Sequence, residues 1–278
     1  MILIADSGST KTEWALVSKN HTEIFETTGM NPYFLTQPEL EKILEHVNKK
    51  LKGDTVSKVV FFGAGCNSSE KMGLMKMLLK KSFLNCEIEV NSDLVGAAKA
   101  LFGKNKGIAV ILGTGANSGY FNGKEISFKT ESLGYILGDE GSGAYLGKQF
   151  ITKLLYNELP KEIENDFTKE YKIRKPEILE NIYQKPNANR YLASFAVFIK
   201  KHIGNSEVKK IVKDAFNVHI VNHLLKYPNI QNENVGFVGS VANSFSHILK
   251  NCCIIHRIKI QLIIAKPIEK LAEFYKTQ

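Results

Sequence analysis

The residues best suited to chemistry lie directly after an apolar run at the start of the chain. Asp6 and Thr12 bound the stretch DSGSTKT, which follows Ile2–Ala5 and precedes a second apolar run, 14–17. This layout predicts a hairpin whose turn presents backbone N–H groups, hydroxyls and one lysine to an anion such as phosphate. Asp6 would then hold a magnesium ion, through water, against that phosphate. An ordinary polar hairpin turn is the alternative.

A second segment repeats this layout in the middle of the chain. The apolar run 107–112 leads into Gly113-Thr114-Gly115, and Asn122-Gly123 supplies a favoured hairpin turn before a third strand at 125–128. Two predicted sheets that each start with a glycine–hydroxyl hairpin indicate a duplicated domain, with phosphate-binding loops that face each other across a cleft. Two unrelated polar hairpins are the alternative.

Further polar groups follow predicted strands, where ligands collect in sheets with helical crossovers. Asp93 stands between the strand 87–90 and the helix 94–101, and is either a general base or the helix N-cap. Asp139 lies in the glycine-rich loop 133–143, which suits ligand hydroxyls, although such a loop can also be a plain helix entry. Gly239-Ser240 closes another strand with small residues, against which a flat base such as adenine can lie.

These side chains need two α/β units to position them. The first unit has the predicted order β-β-β-α-β-α-β-α, a mixed sheet with parallel crossovers. The second begins near Gly107 and contains a largely helical segment from about 146 to 227. We expect a first domain at 1–106 plus 266–278 and a second at 107–265.

Composition narrows the function classes. The chain has 278 residues, a net charge of +9 and four cysteines without metal-ligand spacing. Its lysines are scattered on predicted amphipathic helices without a nucleic-acid-binding motif, so we expect no nucleic-acid partner. The sequence offers neither a membrane span nor a signal peptide, which predicts a cytoplasmic protein without a membrane partner.

The combined motifs resemble the N-acetylglucosamine kinase and BadF/BadG/BcrA/BcrD-type ATPase family, within the superfamily of acetate and sugar kinases, Hsp70 and actin. The resemblance covers nearly the whole chain through ordered motifs, listed here: DSGSTKT, GMNPYF, NSDLVGAA, ILGTGAN with LGYILGDEGSG, and GFVGSVANSF. The pair GTGAN and GDEGSG is the most specific.

The resemblance implies two ribonuclease H-like domains with an actin-like ATPase fold and an active-site cleft between them, which close on ATP, Mg²⁺ and a sugar. It implies ATP-dependent phosphorylation of an amino sugar, N-acetyl-D-glucosamine to its 6-phosphate, and leaves a homodimer open. Asp93 matches the catalytic base and Asp6 lies near the metal. Residues matching the ATP site are Gly8, Ser9, Thr10, Lys11, Thr12, Gly113, Thr114, Gly115, Gly239 and Ser240. Residues matching the sugar contacts are Asn31, Asp93, Ala116, Asn117, Ser132, Leu133, Gly134 and Asp139.

Two alternatives come from other functional classes. The family also contains ATP-driven activases of acyl-CoA dehydratases, which bind an iron–sulfur cluster through paired cysteines. Here Cys66 and Cys86 stand in the first predicted domain and none accompanies the GTGAN or GDEGSG loops, which disfavours an activase. A non-catalytic sugar-binding sensor would need an appended DNA-binding module, and the sequence begins at its first predicted strand.

Overall fold

The computed structural model describes residues 1–51, 53 and 55–277 and divides the chain into two compact units. The first unit consists of Met1–Gly107, Phe121–Ser127 and the described residues from Lys266 onward. The second unit consists of Ile108–Tyr120 and Phe128–Ala265. The predicted domain bounds remain a prediction, and Gln278, the last residue of the predicted first domain, lies outside the described residues.

The first unit opens with five strands and three helices. Its strands are β1 (Ile2–Ser7), β2 (Lys11–Val17), β3 (Thr22–Thr28), β4 (Lys58–Gly63) and β5 (Glu87–Ser92). Its helices are α1 (Gln37–Lys50), α2 (Ser69–Ser82) and α3 (Asp93–Phe102). The strand order is β3-β2-β1-β4-β5, in which β1 and β2 as well as β2 and β3 pair antiparallel, while β1 with β4 and β4 with β5 pair parallel. The carboxyl ends of β1, β4 and β5 therefore lie at one edge of the sheet.

Both faces of the central strands are buried. The residues from Val59 to Phe62 in β4 and from Leu3 to Ala5 in β1 are all fully buried. On one face, Trp14 and Phe61 lie in a core cluster with Met30 and the apolar faces of α1 and α2. Such continuous apolar runs are typical of strands covered on both faces.

The second unit contains most of the other five strands, of which Gly107, Phe121 and residues 126–127 fall in the first unit, and nine described α-helices. Its strands are β6 (Gly107–Leu112), β7 (Ala116–Phe121), β8 (Ile126–Lys129), β9 (Val235–Val238) and β10 (Ile260–Ile264). Its α-helices are α4 (Gly134–Leu137), α5 (Gly143–Leu155), α6 (Lys161–Tyr171), α7 (Lys175–Tyr183), α8 (Ala188–Ser194), α9 (Ala196–Lys201), α10 (Ser206–Asn222), α11 (Ser240–Ser244) and α12 (Ser246–Ile255). Two 3₁₀ helices, Leu224–Lys226 and Ile230–Asn232, precede β9.

The two sheets share one strand order. The second sheet is arranged β8-β7-β6-β9-β10, which repeats the order of the first sheet strand for strand. This repetition confirms the predicted α/β fold class with a duplicated domain.

A last helix, α13 (Ile268–Lys276), returns to the first unit. It buries Ile268, Leu271 and Tyr275 and packs against β1, β2 and α3. Among the described residues, none of the helices is both long and apolar enough to cross a membrane.

Candidate active site

Hydroxyl groups hold the first glycine–hydroxyl hairpin in shape. The turn closes where the Gly8 amide donates to the Lys11 carbonyl at 2.9 Å. The buried hydroxyls of Ser7 and Thr12 lie 2.8 Å apart, and the Ser7 Oγ accepts from the Met30 amide at 3.0 Å. The hairpin is therefore tied from inside to the loop that follows β3.

Asn31 stands in that loop. Its side chain is only 5% exposed, and its Nδ2 donates to the Ser9 Oγ at 2.9 Å. Its Oδ1 accepts from the Tyr33 amide at 3.0 Å. The bond to Ser9 uses one of two N–H groups on the amide nitrogen. The structure thus brings this predicted sugar contact against the predicted phosphate hairpin.

Three carboxylates of the first unit influence one another. Asp6 is the penultimate residue of β1 and pairs with Glu13 of β2. Burial first, and then the negative charges of Asp93 and Glu13, raise the pKa of Asp6 to about 8, although Lys11 acts in the opposite direction. Burial raises the pKa of Asp93 to about 6, against hydrogen bonds from the backbone that lower it. The acids thus form a partly buried region with an excess of negative charge.

The position of Asp93 separates its two predicted roles. The helix cap belongs to Ser92, whose Oγ accepts from the Val95 amide at 3.4 Å. Asp93 is the first helical residue, and its Oδ1 accepts from the adjacent Leu94 amide at 2.8 Å. The N-cap alternative for Asp93 is therefore wrong.

The Lys11 side chain lies among carboxylates of the first unit. Its Nζ is 3.1 Å from both Glu13 and Glu26, and Lys266 contacts the same two acids. Glu13 is only 3% exposed, so this pairing compensates a charge that burial would otherwise penalise. Glu13 and Lys266 lie outside every motif singled out in the sequence.

The residues around Asp6 fit a magnesium ion. Mg²⁺ prefers oxygen ligands and usually keeps several waters, so that one or two carboxylates and substrate phosphates suffice. The negative charge of Asp93, which acts on Asp6, is of the kind that such an ion neutralises. Among the described residues, no group of three or more His, Cys, Asp or Glu side chains could hold a metal by itself.

The second hairpin is braced by a helix. Between β6 and β7 the Gly113 amide donates to the Gly115 carbonyl at 3.0 Å. The start of α5 contacts the same turn, where the amides of Gly143 and Ala144 donate to the carbonyls of Gly113 and Thr114 at 2.8 and 3.1 Å. The turn that carries Thr114 is therefore fixed from one side.

The predicted sugar contacts of the second unit converge on Ala116. The Ala116 amide donates to the Asp139 Oδ1 at 3.2 Å, and its carbonyl accepts from the Ser132 Oγ at 3.1 Å. Burial is the main cause that raises the pKa of Asp139 above the ordinary range. Asn117 Oδ1 accepts from the Ser118 amide at 2.9 Å, while Leu133 is exposed just before α4, which Gly134 begins.

Gly239 lies against the end of β6. Its φ is +124°, and a Cβ atom there would collide with the Leu112 carbonyl oxygen. Its amide donates to the Ile264 carbonyl at 2.9 Å, and Ser240 begins α11. Only glycine adopts this φ without strain and leaves room for the Leu112 carbonyl oxygen. The predicted nucleotide-binding turn can therefore lie directly beside Gly113.

Other polar residues of the second unit were not predicted as site residues. Glu140, beside Asp139, contacts His219, Asn222 and His223 of the end of α10. His219 lies on α10 and His223 directly follows its last residue, and their spacing of four residues is the sequence signal that could have indicated them.

The thiols are poor candidates for chemistry. All four cysteines are free, and burial raises the pKa of Cys66 and Cys253 to about 12. Such thiols carry little thiolate at neutral pH.

The fold and sequence are similar to those of named sugar kinases. The crystal structure of a protein from Porphyromonas gingivalis, assigned as an N-acetylglucosamine kinase, has a TM-score of 0.96 and 37% identity, with 100% of this chain and 99% of that chain covered. A protein with the same assignment from Chromobacterium violaceum has a TM-score of 0.73 and 14% identity, with 100% and 98% covered, and shares the fold.

A curated relative supplies the sequence comparison. The N-acetyl-D-glucosamine kinase of Dictyostelium discoideum is 29% identical over 168 residues, which are 54% of this chain and 52% of that protein. The match thus spans about half the length of that relative. No protein-family model matches the chain.

Proposed function

This chain belongs to the N-acetylglucosamine kinase family, and we propose that it transfers a phosphoryl group from ATP to the 6-hydroxyl group of N-acetyl-D-glucosamine. The observation that carries the proposal is the environment of Asp93. Ser92 caps α3, so the Asp93 carboxylate, whose pKa is about 6, is not required as the N-cap. A base with that pKa is ionised at neutral pH yet still basic enough to accept a proton efficiently.

In phosphoryl transfer the protein mainly positions the substrates and compensates charge, and it forms no covalent bond to them in this proposal. Asp93 orients the acceptor hydroxyl and takes its proton as the oxygen attacks the γ-phosphate. Asn31, Ala116, Asn117, Ser132, Leu133, Gly134 and Asp139 bind the sugar under this proposal.

The two hairpins supply the phosphate contacts. Backbone amides and hydroxyls of Gly8, Ser9, Thr10 and Lys11 in one unit, and of Gly113, Thr114 and Gly115 in the other, bind the phosphates of ATP. Thr12, also predicted for the ATP site, braces the hairpin instead, because its buried hydroxyl is hydrogen-bonded to Ser7 and to the Thr28 carbonyl. The Gly239-Ser240 turn borders the nucleotide. The salt bridges of Lys11 within the first unit support a role in which this lysine braces the hairpin.

Asp6 holds Mg²⁺ in this proposal, and the ion neutralises charge on the phosphates when it is bound. The carboxylate oxygens of Asp6 and the negative charge of Asp93, which acts on Asp6, support this assignment. A cytoplasmic location and a homodimer remain predictions.

A coupled assay tests the function. The protein is incubated with ATP, Mg²⁺ and each of N-acetylglucosamine, N-acetylgalactosamine, N-acetylmannosamine and glucose, and the product is identified by ³¹P and ¹³C NMR. We expect N-acetylglucosamine 6-phosphate as the preferred product. A site that bonds ligand hydroxyls rejects analogues that leave its polar groups unpaired by up to about 10⁴-fold.

Other outcomes identify the alternatives. Equal phosphorylation of N-acetylglucosamine, N-acetylgalactosamine and glucose would refute the assignment. ATP hydrolysis without a sugar requirement would favour the activase, and sugar binding without turnover would favour the sensor.

A further inference from the structure

A continuous chain of hydrogen bonds runs from the core of the second unit to its glycine-rich loop. The Tyr227 hydroxyl lies 2.9 Å from the Ser118 Oγ, which lies 2.9 Å from the Thr130 Oγ1. Thr130 is 3.1 Å from the His223 Nδ1, and the His223 Nε2 is 3.0 Å from the Glu140 Oε2. Five side chains from four segments are thus connected, since His223 and Tyr227 flank the same 3₁₀ helix, Leu224–Lys226.

The carboxylate of Glu140, at one end of this series of hydrogen bonds, determines which atom donates in each bond. The ionised Glu140 carboxylate can only accept, so His223 must carry a proton on Nε2. In its Nε2–H tautomer, His223 accepts at Nδ1 from Thr130, which accepts from Ser118, which accepts from Tyr227. The Tyr227 oxygen in turn accepts from the Thr130 amide at 3.3 Å. Aligned bonds of this kind strengthen one another.

Two neighbouring groups hold Glu140 from the same helix end. The Asn222 Nδ2 donates to the Glu140 Oε1 at 2.8 Å, and the His219 Nδ1 lies 2.9 Å from the Glu140 carbonyl oxygen. Burial lowers the pKa of His219 to about 3, so His219 is neutral and donates through Nδ1. The end of α10 therefore fixes both the backbone and the side chain of Glu140.

The connected segments are those that carry the proposed sugar contacts. Glu140 follows Asp139, Ser118 follows Asn117, and Thr130 stands two residues before Ser132. The imidazole of His223, which is mostly buried, joins the first of these segments to the last two.

We propose that His223 is a positioning residue for sugar binding, which holds the Asp139 loop and the 130–134 segment in one fixed arrangement. This inference rests on the proposed function. Small displacements of binding groups can cost about 100-fold in rate, so the bridge should matter even though His223 touches no reacting atom.

Two variants test the bridge: T130V removes the bonds of the Thr130 hydroxyl to both Ser118 and His223, whereas H223Q removes the bond to Thr130. T130V replaces a hydroxyl by a methyl group of similar size, and H223Q retains an amide donor toward Glu140 while losing the acceptor toward Thr130. Both should raise the KM for N-acetylglucosamine about 10- to 100-fold, while the KM for ATP changes less than about twofold. Lys226→Ala, on the same turn but outside the hydrogen-bond chain, is the matched control and should leave both constants unchanged.

A spectroscopic readout separates positioning from general stability. In ¹⁵N-histidine-labelled wild-type protein, the unprotonated His223 ring should show the Nε2–H tautomer, and T130V should perturb its Nδ1 signal. Wild-type activity with an unchanged sugar KM in folded T130V and H223Q would overturn the inference alone. Wild-type protein that phosphorylates no sugar would overturn the proposed function and, with it, this role of His223.

Discussion

At the residue scale, Asp93 and Ser92 offer a matched pair that separates chemistry from helix capping. Asp93→Asn keeps the size of the side chain but removes the base, so turnover should fall about 10²–10⁴-fold with the fold and sugar affinity retained. Ser92→Ala removes the cap and should lower the free energy of unfolding by about 1 kcal/mol. Steady-state kinetics and denaturant unfolding of both variants check this division. Near-normal turnover in Asp93→Asn would show that the carboxylate is not the base.

The same carboxylate predicts a pH profile. Asp93 must be ionised to accept a proton, and its pKa is about 6. The value of kcat/KM for the sugar should therefore fall on the acidic side of pH 6, approaching tenfold per pH unit. A pH–rate series with wild-type protein measures this limb, and a profile that stays flat down to pH 5 would contradict it.

Asp6 predicts a link between stability and pH. Its pKa rises from an ordinary value of 3.8 to about 8 on folding, so between these values the folded protein binds more protons than the unfolded chain. Its contribution to stability is therefore present at low pH and is lost as the pH rises toward 8. Asp6→Asn should raise the melting temperature of the metal-free protein at pH 8–9 relative to wild type, with little difference near pH 4.

Thermal scans across this pH range, with and without Mg²⁺, measure the effect. Mg²⁺ should stabilise wild type more than Asp6→Asn, since the ion binds the folded carboxylate. An Asp6→Asn protein that is less stable at pH 9 would show that the folded protein tolerates the negative charge at this position.

The salt-bridge and hydrogen-bond partners of the site residues could not be predicted from the sequence. Asp93 and the Ser7–Thr12 hairpin follow from strand ends and residue types. The pairing of Lys11 with Glu26 and Lys266 depends on the packing of segments far apart in the chain. The same holds for His223, whose two partners come from distant positions.

At the element scale, two helical glycines should respond in opposite ways to alanine. A Cβ atom on Gly96 of α3 would lie 2.7 Å from the Phe62 ring, so Gly96→Ala must displace the helix that begins with Asp93. It should cost about 1–3 kcal/mol of stability and reduce turnover. Gly73 of α2 is exposed with open space around it, and Gly73→Ala should stabilise by up to about 1 kcal/mol without affecting turnover. Equal effects of the two substitutions would contradict the packing of α3 on β4.

The order of strands and helices along the first unit could be predicted from apolar runs and turn residues, whereas the ends of the strands could not. The predicted strand 87–90 extends to Ser92 in the structure, because β4 and β5 remain paired as far as Gly63 and Ser92. The ladder thus continues through polar residues whose types alone favour a loop. The duplication of the domain could be predicted because the same hairpin layout occurs twice in the sequence.

At the scale of the whole molecule, the first unit depends on a helix from the far end of the chain. A chain truncated after Ala265 lacks α13 and leaves apolar surface of β1, β2 and α3 uncovered. Each buried side chain of α13, such as Leu271, contributes roughly 1.5–3 kcal/mol. Native-state hydrogen exchange of the truncated chain should show lost protection in β1 and α3, with protection retained in β6 and β9. Unchanged protection in β1 would contradict this dependence.

The return of α13 also orders events during synthesis on the ribosome. Residues 266–277 emerge only after the second unit has been translated, roughly 10–30 s behind Gly107 at about 5–20 residues per second. During that interval the first unit has made its sheet but lacks its final helix, so its uncovered face is open to chaperones. The nascent protein therefore completes its N-terminal half last.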